Sequence, residues 1–286
     1  MKRNFTLLSV ILITIISGCA STKQLPVRQL QSYRTLSVED RMLADTLIKA
    51  VLENEGLYTV SGKLKTISSV SNLYLKIADA DPVASGKREV TDTASADFKK
   101  LKHYQYLINA LNFGDLRFSI SPFKLHTKEE RTMQITIHRI SLMDSLVQAN
   151  QEFYGQFGFS PGTDPELLIN TTEYEDKNNR FRSYGYLFGY PEHAVTFFLE
   201  AAKHEEKNKG ELLKRDFFQI PVYSGKTGHF VYAVPKGYQA TSIDSAIYKR
   251  AEYTLERFKK ERAKHLRKDG TVQYYELLLA MIRLDD

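Results

Sequence analysis

Leu116-Arg117-Phe118-Ser119-Ile120-Ser121 and Met133-Gln134-Ile135-Thr136-Ile137 carry an apolar side chain at every second position and are joined by a polar segment. Period two puts alternate side chains on opposite faces of a strand, so these runs predict two antiparallel neighbours that share one apolar face. Such a face must be covered, and the flanking sequence supplies helices to do so. Upstream, Phe98, Leu101, Tyr104, Ile108 and Leu111 recur every three or four residues, which predicts a helix over 95–112 with Gly114 just past its end. Downstream, Leu142, Leu146, Ala149 and Phe153 predict another, ended by Gly155 or Gly158.

The same reading extends outward. Ser37, with Asp40 three residues on, opens a helix whose stripe is Leu43, Leu47 and Val51 and whose stop is Gly56. Residues 57–68 alternate over much of their length and read as a strand broken at Gly62; residues 79–92, with Pro82 and Gly86, read as a surface loop. A short helix is expected around 165–169, and Pro191 should begin one that ends near Gly210. Residues 217–223 and 229–234 should pair across Ser224-Gly225-Lys226-Thr227-Gly228. Two helices close the chain, over 241–268 and 271–284, the second apolar over much of its surface and so expected to be buried. Antiparallel pairs interspersed with helices predict an α+β fold: a mostly antiparallel sheet covered by helices, with two C-terminal helices, in one domain over 33–286.

Residues 182–190 contain a row of aromatics. Tyr184, Tyr186, Phe188 and Tyr190 alternate with Ser183, Gly185, Leu187 and Gly189. Read as a strand, the segment lines one face with four rings, a candidate binding surface for sugar or peptide, while Gly185 and Gly189 opposite admit a close neighbour. Packing of the same rings into the core explains the same pattern and is the favoured reading.

The start of the chain has a different character. Lys2 and Arg3 precede an apolar run from Phe5 to Ile16, and the run closes on Ile16-Ser17-Gly18-Cys19, which holds the only cysteine of the 286 residues. A membrane-spanning helix needs about 20 apolar residues, so this run is a signal peptide rather than a span. The four closing residues resemble the lipobox of bacterial lipoproteins. The resemblance implies cleavage between Gly18 and Cys19, a diacylglyceryl group on the Cys19 thiol, and a tether over 19–32. One acyl chain holds a protein only marginally and two hold it stably, so a diacylated Cys19 is a sufficient anchor. With Ala20 and Ser21 rather than an acid after the cysteine, the resemblance further implies the outer membrane, with the domain facing the periplasm.

Composition narrows the function classes. Residues 1–18 hold two cations and no acid, so the formal charge of +6 becomes +4 after cleavage. That is too small for a nucleic-acid footprint, and no nucleic-acid partner is expected. A lone cysteine permits no internal disulfide, so packing must stabilise the domain; 42% hydrophobic residues suffice for a core.

Candidate chemistry thins out on inspection. Gly158-Phe159-Ser160-Pro161-Gly162 matches the letters of a nucleophile elbow, but Pro161 lacks the N–H that the oxyanion hole requires after the serine. Gly225-Lys226-Thr227 resembles the end of a phosphate loop, yet Ile220 stands where that loop needs glycine. Asp79 and Asp81 are followed by Pro82 and Ala84 rather than further oxygen ligands. His193, Glu200 and His204 share one helix, with Glu200 and His204 on a polar stripe opposite Val195, Phe198, Leu199 and Ala202. Nine Lys or Arg against three Glu over 249–268 read as the water-facing side of a helix. No catalytic residue, metal site or cofactor is expected. The sequence thus points to a lipid-anchored envelope protein, a periplasm-facing binding or scaffolding module whose partners are the membrane through Cys19 and an envelope protein or glycan. The rival is an envelope hydrolase of glycan or peptide whose residues are assembled only by the fold.

Overall fold

A computed structural model describes residues 33–78, 90, 91, 93–124 and 130–285. Gly18, Cys19, the tether and residues 79–89 and 92 of the expected loop lie outside the described residues. The architecture is α+β, built on an antiparallel sheet in the order β2-β1-β5-β4-β3. Its strands are β1 (Ile67–Ala78), β2 (Val90–Thr91), β3 (Asn112–Phe113), β4 (Leu116–Pro122) and β5 (Glu130–Arg139). The alternating runs at 116–121 and 133–137 fall in β4 and β5, paired with Phe118 opposite Ile137 and Ile120 opposite Ile135.

Helices cover this sheet. They include α1 (Val38–Glu53), α2 (Leu57–Val60), α3 (Ala96–Ala110), α4 (Ile140–Ala149), α5 (Gln151–Gly155) and α6 (Pro165–Tyr174). Local chemistry sets their starts: the Ser37 hydroxyl accepts from the Asp40 N–H at 3.0 Å, and the Ser95 hydroxyl from the Phe98 N–H at 3.2 Å. Leu47 and Val51 of α1 and Leu107 of α3 are buried in one cluster with Leu116, Phe118, Ile135 and Ile137. Burying each such side chain contributes about 1.5–3 kcal/mol. Strand residues of the other parity, Ser119, Thr136 and His138, are buried as well, because Met143 and Val147 of α4 and Leu168 of α6 form a second cluster with Ile67.

The remaining elements are α7 (Lys177–Leu187), α8 (Glu192–Lys207), the hairpin β6 (Arg215–Val222) and β7 (Gly225–Pro235), α9 (Ser242–Lys264) and α10 (Tyr274–Asp285). Val222 pairs with Gly225, so the hairpin turns at Tyr223-Ser224, tighter than the expected five-residue connection. The Thr241 hydroxyl accepts from the Asp244 N–H while the Asp244 carboxylate accepts from the Thr241 N–H, a capping box that starts α9. Leu277, Leu278 and Met281 of α10 are fully buried, as the apolar closing stretch implies. No helix among the described residues is long and apolar enough to cross a membrane.

Three expectations need correction. Residues 57–60 are a buried helical turn and the strand begins only at Ile67: the Tyr58 hydroxyl donates to the Pro221 carbonyl, and the Leu64 and Lys65 N–H groups both donate to the Tyr58 carbonyl. Val90 and Thr91, expected in a loop, pair with Ala78 and Ile77. Residues 182–190 are not a strand; 182–187 complete α7, so Tyr184, Tyr186, Phe188 and Tyr190 do not share a face.

Candidate functional site: an aromatic cavity beside α7

Helix α7 is packed on three sides, and its 3.6-residue turn sorts its side chains into three arcs. Ser183 and Leu187 face the second core cluster, where the Ser183 hydroxyl hydrogen-bonds Tyr154 at 3.2 Å and Thr172 at 2.7 Å. Arg182 and Tyr186 project together toward α5. Phe181, Tyr184 and Gly185 point to the third side, and Phe188, the next residue but two, continues their arc. There they meet Val195 and Phe198 of α8 and Phe217, Val231 and Tyr232 of the hairpin around a cavity of about 290 Å³.

Tyr184, Phe188 and Tyr190 of the expected row therefore do come together in this cavity, while Tyr186 lies across the helix, 5.7 Å from Phe153 between ring centroids. The rings of Tyr184 and Phe188, one turn apart, stack at 5.5 Å with planes 12° apart. Tyr190 completes the wall against Tyr232 at 5.7 Å. The two expected glycine approaches are real, but the molecule fills both itself. A Cβ on Gly185 would lie 2.7 Å from Val195 Cγ2, and one on Gly189, where φ is +75°, 1.8 Å from the Leu64 carbonyl oxygen.

Two of the three tyrosine hydroxyls of the lining, those of Tyr184 and Tyr232, are bound to carboxylates of the protein. The Tyr184 hydroxyl donates to Glu173 Oε2 at 2.6 Å, and the Tyr232 hydroxyl to Asp244 Oδ1 at 2.5 Å. Burial first, then the adjacent Glu173 carboxylate, raises the Tyr184 phenol far above its ordinary value; burial and Asp244 do the same for Tyr232. Both rings therefore stay neutral. Apart from the Tyr190 phenol, a ligand would meet mainly ring face and aliphatic carbon, and the mouth is open: Phe217 is 56% and Phe198 39% exposed. Phe198 was expected on the buried side of its helix, and it forms the rim instead.

Lys65 lies behind the wall with no exposed surface, its Nζ 4.9 Å from the Phe188 ring centroid and 4.6 Å from that of Phe230, and paired with Glu55 at 2.6 Å. Burial pulls its pKa down, and Glu55 opposes the shift. At the other end of the cavity wall, His193 Nε2 lies 3.1 Å from Asp244 Oδ1 and 2.9 Å from the Tyr238 hydroxyl. A His–carboxylate pair is the composition a hydrolase needs. Both Asp244 oxygens are already taken, however, by Tyr232 on one and by Tyr238, the Thr241 hydroxyl and the Thr241 N–H on the other. Burial opposes ionisation of Asp244, and these hydrogen bonds outweigh it, holding the carboxyl well below its ordinary range. The cluster ties α8, the hairpin and α9 together, and its acceptors are satisfied without a substrate.

Comparison of the chain with protein-family models, with curated proteins and with solved structures finds no match. The other sequence candidates are dispersed. Ser160 and Pro161 sit in a turn between α5 and α6, where Thr163 Oγ1 accepts from the Ser160 N–H at 3.1 Å. Glu200 is exposed on the outer face of α8, and no cluster of three metal-ligating groups is found among the described residues. The rim residues Phe181, Phe198 and Phe217 and the tie at Asp244 were missed. Phe181, Tyr184 and Phe188 do fall at helical spacing, and Thr241 with Asp244 is a legible cap signal, so part of the cavity is written in the sequence.

Proposed function

We propose that this chain is a lipid-anchored binding module of the cell envelope. The observation that carries the reading is the largely apolar cavity, where the Tyr184 and Tyr232 hydroxyls are tied back to Glu173 and Asp244 and whose mouth is rimmed by exposed Phe198 and Phe217. Its occupant is an uncharged apolar or aromatic group of an envelope partner. A cavity of roughly 150 Å³ accepts benzene, and this one, at about 290 Å³, has room for two fused or linked rings. Acylated Cys19, with cleavage after Gly18 and a tether over 19–32, confines the search for that partner to a thin layer at the outer membrane facing the periplasm, and so raises its effective concentration.

The test is titration with N-phenyl-1-naphthylamine, a neutral aromatic fluorophore. Saturable enhancement that weakens about tenfold or more in Phe198→Ser and Phe217→Ser, both exposed positions, is the expected result. Non-saturable binding, or equal binding by the variants, rejects the cavity. The anchor is tested separately: Cys19→Ala should move the protein from the membrane to the soluble fraction, and unchanged membrane association rejects lipidation.

A further inference from the structure

On the flank of α7 away from the aromatic cavity, the joint between α4 and α5 leaves an open cleft of about 630 Å³. Phe153 and Tyr186 form one wall, half-buried and set edge to face at 80°. The opposite wall carries Gln148, Gln151 and Glu152, all exposed. Arg182 spans the floor; its contacts, to the Tyr186 hydroxyl at 3.0 Å and to Glu192 Oε1 at 3.2 Å, all use Nη1. The Asn150 amide donates to the Leu146 carbonyl at 3.0 Å, which fixes the joint. Gln148 and Gln151 touch only through a long 3.3 Å contact between Nε2 and Oε1.

From these groups we infer a binding site for an uncharged saccharide. A sugar ring has an apolar C–H face and a belt of hydroxyls that donate and accept. The cleft offers ring surface for the first; for the second it offers carboxylate and amide oxygens as acceptors and guanidinium and amide N–H groups as donors. Charge selects against acidic ligands: Glu192 offsets Arg182, and Glu152 adds a carboxylate at the cleft edge. A purely apolar ligand is selected against by the exposed amides, whose hydration it would remove without replacement. The open shape suits an oligosaccharide running past the site better than a single enclosed sugar. This site is separate from the apolar cavity and does not depend on it.

The experiment is ¹H–¹⁵N NMR titration of the mature chain with chitotriose, cellotriose and maltotriose, each to about 10 mM, well above a 1 mM dissociation constant. At least one should give saturable shifts clustered at residues 148–153 and 182–186. Tyr186→Ala should weaken binding at least tenfold, and the exposed double variant Gln151→Ala/Glu152→Ala at least threefold. Lys260→Ser, on the exposed face of α9, should leave binding unchanged. Tyr186→Phe keeps the ring and should retain most of the affinity, separating loss of stacking from loss of fold. Absence of saturable shifts with all three sugars, shifts clustered elsewhere, or full affinity in the double variant overturns the assignment.

Discussion

The two flanks of α7 use aromatic residues in opposite ways. On one, Tyr184 turns its hydroxyl into a bond with buried Glu173 and shows a ring face to an apolar cavity; on the other, Tyr186 keeps its hydroxyl on Arg182 beside exposed amides. The residues are two apart and identical in type. What separates them is roughly 200° of helical rotation, and with it whether the phenol meets a buried carboxylate or a half-buried guanidinium at the edge of an open cleft. A tyrosine's role is therefore set by where its oxygen goes.

The largest effect tests whether α7 is held rigidly enough to keep the flanks distinct. Gly189→Ala would place a Cβ against the Leu64 carbonyl at a backbone φ of +75°. Strain and overpacking together should cost about 4 kcal/mol in urea unfolding; a loss below about 1 kcal/mol would show that the 188–190 turn moves freely.

Next comes the tie behind the cavity wall. Asp244→Asn removes the charged acceptor of Tyr232, Tyr238 and Thr241 and should cost about 3 kcal/mol. Because the folded carboxyl sits below its ordinary 3.8, its contribution is present above about pH 4 and lost as pH falls below that. Urea midpoints should drop as pH falls from about 4.5 to about 2 in the parent, and the variant should lose part of that slope. Equal slopes would mean that Asp244 is not the sensitive group.

The smallest effects sharpen the contrast directly. Tyr184→Phe leaves buried Glu173 with the Lys124 N–H but without its phenol, at a cost of about 1.5 kcal/mol, whereas Tyr186→Phe, at a half-exposed site, should cost about 0.5 kcal/mol or less. Thermal unfolding of the pair would erase the distinction if the order reversed.

Legibility in the sequence followed how local the deciding physics was. The β4–β5 pair, the cap at Ser37 and the buried α10 each depend on residues within a few positions, and each stands as read. Residues 57–60 misled because all four are buried, so neither period shows. In α7 the burial itself alternates, Ser183, Gly185 and Leu187 being covered, because neighbours press on the helix from several sides and imitate the pattern of a strand. Three of the four rings still gather in one cavity, through the one-turn spacing of Tyr184 and Phe188 and the turn that swings Tyr190 beside them. The polar cleft drew only Tyr186 from the expected set, since its other members, Arg182 apart, lie more than 30 residues away at the joint of α4 and α5.

The two ends of the described domain are fastened to each other. Tyr33 stacks on Tyr275 at 3.6 Å, and Asp285 accepts from the Gly62 N–H and from Arg139. Until residues 274–285 are in place, the core lacks a wall and Arg139 its nearer carboxylate, since Asp115 stands 3.9 Å away against 2.8 Å for Asp285. The described fold thus closes as a clasp, with α10 as the piece that joins its first residues to its last.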